Sequence, residues 1–217
     1  MNRSAVPPPV TRVLDAAESW LPRGLVAVES RLAELAGDHG DLLAAEGRAT
    51  LAAGGKRLRP MLVLLCAGPD AGRHALRAAT AIELVHMATL VHDDVLDAAP
   101  LRRGRPTVVA RAGREVATAL GDLLFSRAFA ELGTGDGAGD ETARRQTALL
   151  ADASLALARG ELAQRGDAFD AGLGAERYLE RCRLKTARLF ECACAIGSAG
   201  DERSATPALR SFGAEIG

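Results

Sequence analysis

The sequence predicts an all-α helical bundle. Ala, Leu, Arg and Glu dominate it, and its apolar positions recur at three and four residues rather than two. Short segments rich in Gly, Pro and charge separate the periodic stretches. No segment alternates as a strand, and no repeat of fixed period appears.

Taken in order, residues 1–10, "MNRSAVPPPV", lack the apolar core of a signal peptide, and their proline run predicts a flexible leader. Helices are expected over 10–36 and 40–53, the second stopped by "GGKRLRP". A helix over 59–67 ends at "AGPDAG", and a long one over 72–98 ends at "PLRRGRP". The next, over 107–132, runs into "GTGDGAGD", almost free of apolar groups and therefore read as a mobile loop. Helices over 141–166, 175–197 and 205–217 complete the order, the last two separated by "GSAGDERSATP".

A chain of 217 residues supports one sizeable core, and 48% hydrophobic with 25% charged residues is ordinary for a soluble globular protein. A net charge of -1 and 3% aromatics argue against a nucleic-acid surface, which needs a basic stripe or stacking platforms. The apolar run at 60–67 is too short to span a bilayer, so no transmembrane segment is expected and the cytoplasm is the expected compartment. Cys66, Cys182, Cys192 and Cys194 show no paired metal spacing; the lone C-x-C in "LFECACAIG" reads as two small buried thiols.

"LVHDDVLDAAPLRRGRP" (90–106) carries the densest chemistry. At about 100° per residue, Asp93 and Asp97 share one helix face, His86 lies two turns before Asp93, and Asp94 points to the edge of that face. Three carboxylates so close repel one another, and the helix C-terminus disfavours negative charge. A hard divalent cation relieves both conflicts, and Mg²⁺ takes one or two carboxylates plus phosphate oxygens. The bland alternative is an acidic helix end screened by water. Two basic segments accompany it: "AAGGKRLRP" (52–60) with Lys56, Arg57 and Arg59, and "PLRRGRP" (100–106) with Arg102, Arg103 and Arg105. Glycine admits an anion close to the backbone, and arginine forks suit phosphate oxygens, although either segment alone also reads as a solvated loop. No G-x-x-x-x-G-K-[ST] is present, so a P-loop nucleotide site is excluded.

These segments resemble the trans-isoprenyl diphosphate synthases, the polyprenyl synthetase family. "GGKRLRP" (54–60) is similar to its isopentenyl-diphosphate segment. "IELVHMATLVHDDVLD" (82–97) is similar to its first aspartate-rich helix, with "LRRGRPT" (101–107) following in register. "GD" (121–122), "GELAQ" (160–164) and "KTARLF" (185–190) follow in the family's order, so the resemblance covers residues 54–217.

The resemblance implies an isoprenoid-synthase bundle around a central cleft. It also implies a Mg²⁺-dependent prenyltransferase that joins isopentenyl diphosphate to an allylic prenyl diphosphate. By the same resemblance Lys56, Arg59, His86 and Arg103 hold the isopentenyl diphosphate. Asp93 and Asp97 bind Mg²⁺ on the allylic diphosphate, with Asp94 supporting the cluster. Arg102, Lys185 and Thr186 contact the allylic diphosphate, and Gln164 positions a metal-bound water or ligand. The small Ala88 and Thr89, beside Met87, imply products of twenty carbons or longer, and Ala88→Phe is expected to shorten them. A homodimer or heterodimer is expected.

The family carries a second aspartate-rich motif after the segment resembling "SFGAEIG" (211–217), and no second D-D-x-x-D occurs here. "DE" at 201–202 is a poor substitute. The expectation is a single domain over 11–217, incomplete at its C-terminus with the last helices of the bundle missing. A second reading is a non-catalytic diphosphate-binding subunit. A third, a metal-dependent phosphohydrolase of the kind that uses a His-Asp doublet, is prompted by His92-Asp93 and requires His39 or His74 nearby.

Overall fold

The computed structural model describes residues 8–38, 40–70, 72–134, 140–200 and 206–217. Its helices are α1 (Pro8–Ala17), α2 (Leu21–Ala36), α3 (Gly40–Ala52), α4 (Leu58–Ala67) and α5 (Arg73–Leu96), then α6 (Val108–Gly133) and α7 (Glu141–Gly166). After these come α8 (Ala175–Cys182), a π-helical turn (Arg183–Ala187), α9 (Arg188–Gly197) and α10 (Thr206–Ile216).

Helix α5 runs through the middle. Ala78, Ala79, Ala81, Ile82, Leu84, Val85 and Ala88 are all fully buried, so its central turns are buried on every side. Their many alanines let α2, α4, α6, α7 and α9 pack around it. Leu32, Leu120, Leu124, Leu150, Leu189 and Ile196 fill the gaps, each contributing about 1.5–3 kcal/mol relative to exposure. Helices α4 and α9 meet backbone to backbone at Gly197, where an added Cβ would stand 2.3 Å from the Val63 carbonyl.

The all-α prediction holds, with local differences. Helix α1 starts at Pro8, inside the segment read as a leader; residues 1–7 lie outside the described ones. The helix expected over 10–36 breaks at residues 18–20, because Pro22 in the first turn of α2 has no N–H to continue α1. Gly113, at φ 86°, interrupts α6 with non-helical backbone. The stretch 175–197 is continuous but holds the π turn. "LRRGRP" forms a minimal antiparallel ladder, Leu101 opposite Pro106 and Arg102 opposite Arg105. Its turn residues Arg103 and Gly104 have φ 52° and 74°, the left-handed pair of a tight hairpin; two-residue strands are too short to show alternation. Residues 135–139 of the glycine-rich segment, and 201–202, lie outside the described ones. Cys192 and Cys194 are buried, and all four thiols are free.

Candidate active site

The faces of α5 sort its polar residues. His86, Thr89 and Asp93, spaced at three and four positions, line a cavity of about 560 Å³. Thr118 and Phe125 of α6, Leu157, Ala158 and Glu161 of α7, Lys185 and Thr186 of the π turn, and Leu189 of α9 complete much of its wall. The lining is amphiphilic, with charged groups from five elements beside a larger apolar surface. Ser154 Oγ, also in the lining, is buried without a hydrogen-bond partner among the described residues.

The ammonium of Lys185 lies 3.6 Å from Asp93 and 2.5 Å from Glu161. Burial raises the Asp93 carboxyl above its ordinary range; Lys185 opposes the shift, while Glu161 and Asp97 add to it. Two features place Lys185 there. The π turn inserts an extra residue per turn, a device frequent at functional sites. Gly160 lets α7 approach that turn, since a Cβ there would meet the Lys185 amide nitrogen at 2.8 Å.

A neighbouring cavity of about 430 Å³ lies against the "GGKRLRP" segment, lined by Gly54, Gly55, Lys56, Arg57, Arg59, Glu83, His86 and Arg103. Lys56 and Arg103 are exposed and have no ion-pair partner among the described residues. The Arg59 guanidinium lies over the Phe190 ring, 4.2 Å from its centroid, and its Nε is buried without a hydrogen-bond partner among the described residues. Burial pulls the Arg59 pKa below its usual range, against the pull of Glu83. His86 and Arg59 belong to both cavities. Burial, then the charges of Arg59, Arg103, Arg57 and Arg102, push the His86 pKa down to about 3, so its ring is neutral.

The three aspartates part company. Asp94 is buried and faces the hairpin, where Arg102 Nε bonds both its oxygens at 2.9 and 3.0 Å and the same guanidinium forms an ion pair at 2.9 Å. Both residues therefore stand away from the larger cavity. Asp97 caps α5, exposed one turn beyond Asp93, with its N–H bonded to the Asp93 carbonyl at 2.8 Å. Gln164 is half-buried on α7, outside the cavity lining. Ala88 is fully buried in the core, so of the two small residues near Asp93 only Thr89 lines the cavity.

Among the described residues no three His, Cys, Asp or Glu side chains form a metal cluster. Asp93 and Asp97 nonetheless suit Mg²⁺, which takes one or two carboxylates and fills its shell with phosphate oxygens and water. A cationic group already sits against Asp93, in Lys185. The His-Asp phosphohydrolase reading gains nothing from His74, which lies in the first turn of α5, eighteen residues or about 27 Å of helix before His92, and pairs with Asp140 at 3.5 Å. His39 lies outside the described residues.

Sequence reasoning missed Glu161, Glu83 and the roles of Arg57 and His92. His92 Nε2 lies 3.3 Å from Asp122 and 3.4 Å from the Thr118 carbonyl, in space that a Cβ on Gly121 would fill at 2.2 Å. Glu161 stands in the quoted "GELAQ", yet only the fold brings it to Lys185.

Residues 41–217 match the family described as polyprenyl synthetase. The chain is 38% identical over 211 residues, 94% of its length and 63% of the other's, to heptaprenyl diphosphate synthase component 2 of Geobacillus stearothermophilus. It is also 38% identical over 168 residues, 75% of this chain and 52% of that one, to geranylgeranyl pyrophosphate synthase of Geoglobus acetivorans. Polyprenyl synthase of Caulobacter crescentus, solved with calcium and isoprenyl diphosphate, superposes with a TM-score of 0.83 at 33% identity, covering 96% of this chain and 62% of that one. The chain thus spans 52 to 63% of the length of these proteins. Sequence match, shared bundle and the clustering of basic and acidic motifs around α5 agree: this chain belongs to the polyprenyl synthetase family.

Proposed function

We propose that the chain works as a trans-polyprenyl diphosphate synthase, condensing isopentenyl diphosphate with an allylic diphosphate to give a product of twenty carbons or more. One observation carries this reading: two cavities share His86 and Arg59, one rich in unpaired cations and the other both charged and apolar. That is the shape of a site for two diphosphates whose hydrocarbon parts must meet.

Lys56, Arg59 and Arg103 receive the isopentenyl diphosphate, with neutral His86 offering one ring N–H. Asp93 and Asp97 would hold Mg²⁺, which supplies positive charge to the departing allylic diphosphate. Lys185 and Thr186 steady the same group from the π turn, while Arg102 acts through Asp94. The allylic C–O bond breaks, its electron pair leaves with the diphosphate, and the isopentenyl double bond attacks the resulting cation. The released diphosphate then takes a proton from the adjacent carbon, and the double bond re-forms. Phe125, Leu157 and Leu189 keep water from the cation. No protein nucleophile takes part.

A second reading, a non-catalytic diphosphate-binding subunit paired with another helical chain, draws on one observation: the Geobacillus relative is named a component of its synthase. Purified protein incubated with Mg²⁺, labelled isopentenyl diphosphate and allylic primers separates the two. Elongated product is expected. Binding without product, restored to turnover by a second chain, supports the subunit reading, and neither binding nor product refutes both.

A further inference from the structure

The basic residues around His86 fall into two kinds. Lys56, Arg59 and Arg103 have no carboxylate partner among the described residues, whereas Arg57 has every donor group committed. Its Nε bonds Glu29 of α2, its Nη1 bonds Glu83 of α5 at 2.8 Å, and its Nη2 reaches Glu29 at 3.4 Å and the Leu51 carbonyl at 3.5 Å. With four of its five N–H donors taken, this guanidinium has little left for a phosphate. Its backbone is strained as well: Arg57 precedes α4 in the left-handed conformation at φ 48°, which a non-glycine residue rarely adopts.

Glu83 is the odd group here. It is 3% exposed, in the most apolar part of α5, among buried alanines and leucines. A lone carboxylate is expensive in such a place, and partnership with a buried arginine is what makes it tolerable. Eleven residues later, about 20° from the same line on the helix, stands Asp94, also buried and also holding an arginine. Helix α5 thus presents two buried carboxylates on one face, one clasping each basic segment.

We propose that Glu83 is a positioning residue for the diphosphate-binding segment: through Arg57 it fixes the 54–59 backbone so that Lys56 and Arg59 converge on one anion. Glu83 touches no substrate. It holds Arg57 in its strained turn and removes one cation from competition for the phosphate. This assignment rests on the functional reading above, but its test does not need turnover.

The test uses inorganic pyrophosphate as probe in metal-free buffer, with calorimetric binding to the wild-type chain, Glu83→Gln, Arg57→Gln, the double variant, and Arg59→Gln as a direct-contact control. Glu83→Gln is expected to weaken binding about tenfold, the scale seen when a supporting group rather than a ligand is lost. The double variant is expected to bind no worse than the weaker single variant, because the two residues act as one unit. Circular dichroism melts run alongside, and Glu83→Asp is expected to recover part of the affinity. Wild-type affinity in a folded Glu83→Gln, or additive losses in the double variant, overturns the proposal. So does a loss of affinity that only mirrors a loss of folded protein. If the wild-type chain binds pyrophosphate yet makes no product, the synthase reading fails while this one stands; in an active chain, a selective rise in KM for isopentenyl diphosphate at unchanged KM for the primer is the matching kinetic result.

Discussion

His86 is a basic residue held neutral by burial and by the arginines around it, and that gives it a measurable signature. Its folded pKa is pushed to about 3 from an ordinary 6.5, so below pH 6.5 the unfolded chain takes up a proton that the folded one refuses. Stability therefore falls as pH drops through 6.5 and levels off only below about 3. Between pH 7 and 5 this amounts to about 2 kcal/mol. In urea melts, His86→Gln is expected to remove that part of the pH dependence; an unchanged slope would show that other groups carry it. Thr89 makes the second residue-scale case. It lines the cavity whereas Ala88 is sealed in the core, so Thr89→Phe is expected to shorten the product in chromatography of dephosphorylated chains. Ala88→Phe, which sequence reasoning favours, is instead expected to lose about 1–3 kcal/mol by overpacking.

At the scale of elements, helix periodicity made α5 and the shared face of His86 and Asp93 legible in advance. It did not reveal that Asp94 turns to the hairpin, because 100° of rotation decides only which neighbour a side chain meets once the neighbours are placed. Glu161 and Glu83 were invisible for the same reason. Each reads as an ordinary helical glutamate until Lys185, 24 positions away, or Arg57, 26 positions away, folds against it. The Pro22 break was readable and was outweighed by periodicity on both sides. Gly197 gives the test at this scale. Gly197→Ala must push α9 from the Val63 carbonyl, and the overpacking is expected to lower stability by about 2–3 kcal/mol in denaturant melts, with the midpoint moving and the slope unchanged.

Across the whole molecule, fold class and motif order could be read from the sequence, whereas the division of charges into receivers and holders could not. That division depends on burial, which no spacing rule contains. Ligand linkage tests the assembled site. With Mg²⁺ present, pyrophosphate at 100 times its dissociation constant is expected to stabilise the chain by about 2.7 kcal/mol, read as a rise in melting temperature. Asp93→Ala is expected to abolish the Mg²⁺-dependent part of that rise and leave the metal-free part. Several apolar side chains face outward, among them Phe212 and Ile216 of α10, and Leu162 and Phe169 near the end of α7.

The π turn at residues 183–187 has a consequence for how this chain can change. Because it houses one residue more than an α-helical turn, deleting a single position there would let the segment relax into regular helix. Everything on one side would then rotate by about 100° relative to the other. Lys185 would swing off Asp93 or α9 would lose its grip on α4, so the segment tolerates substitution far more readily than a change of length.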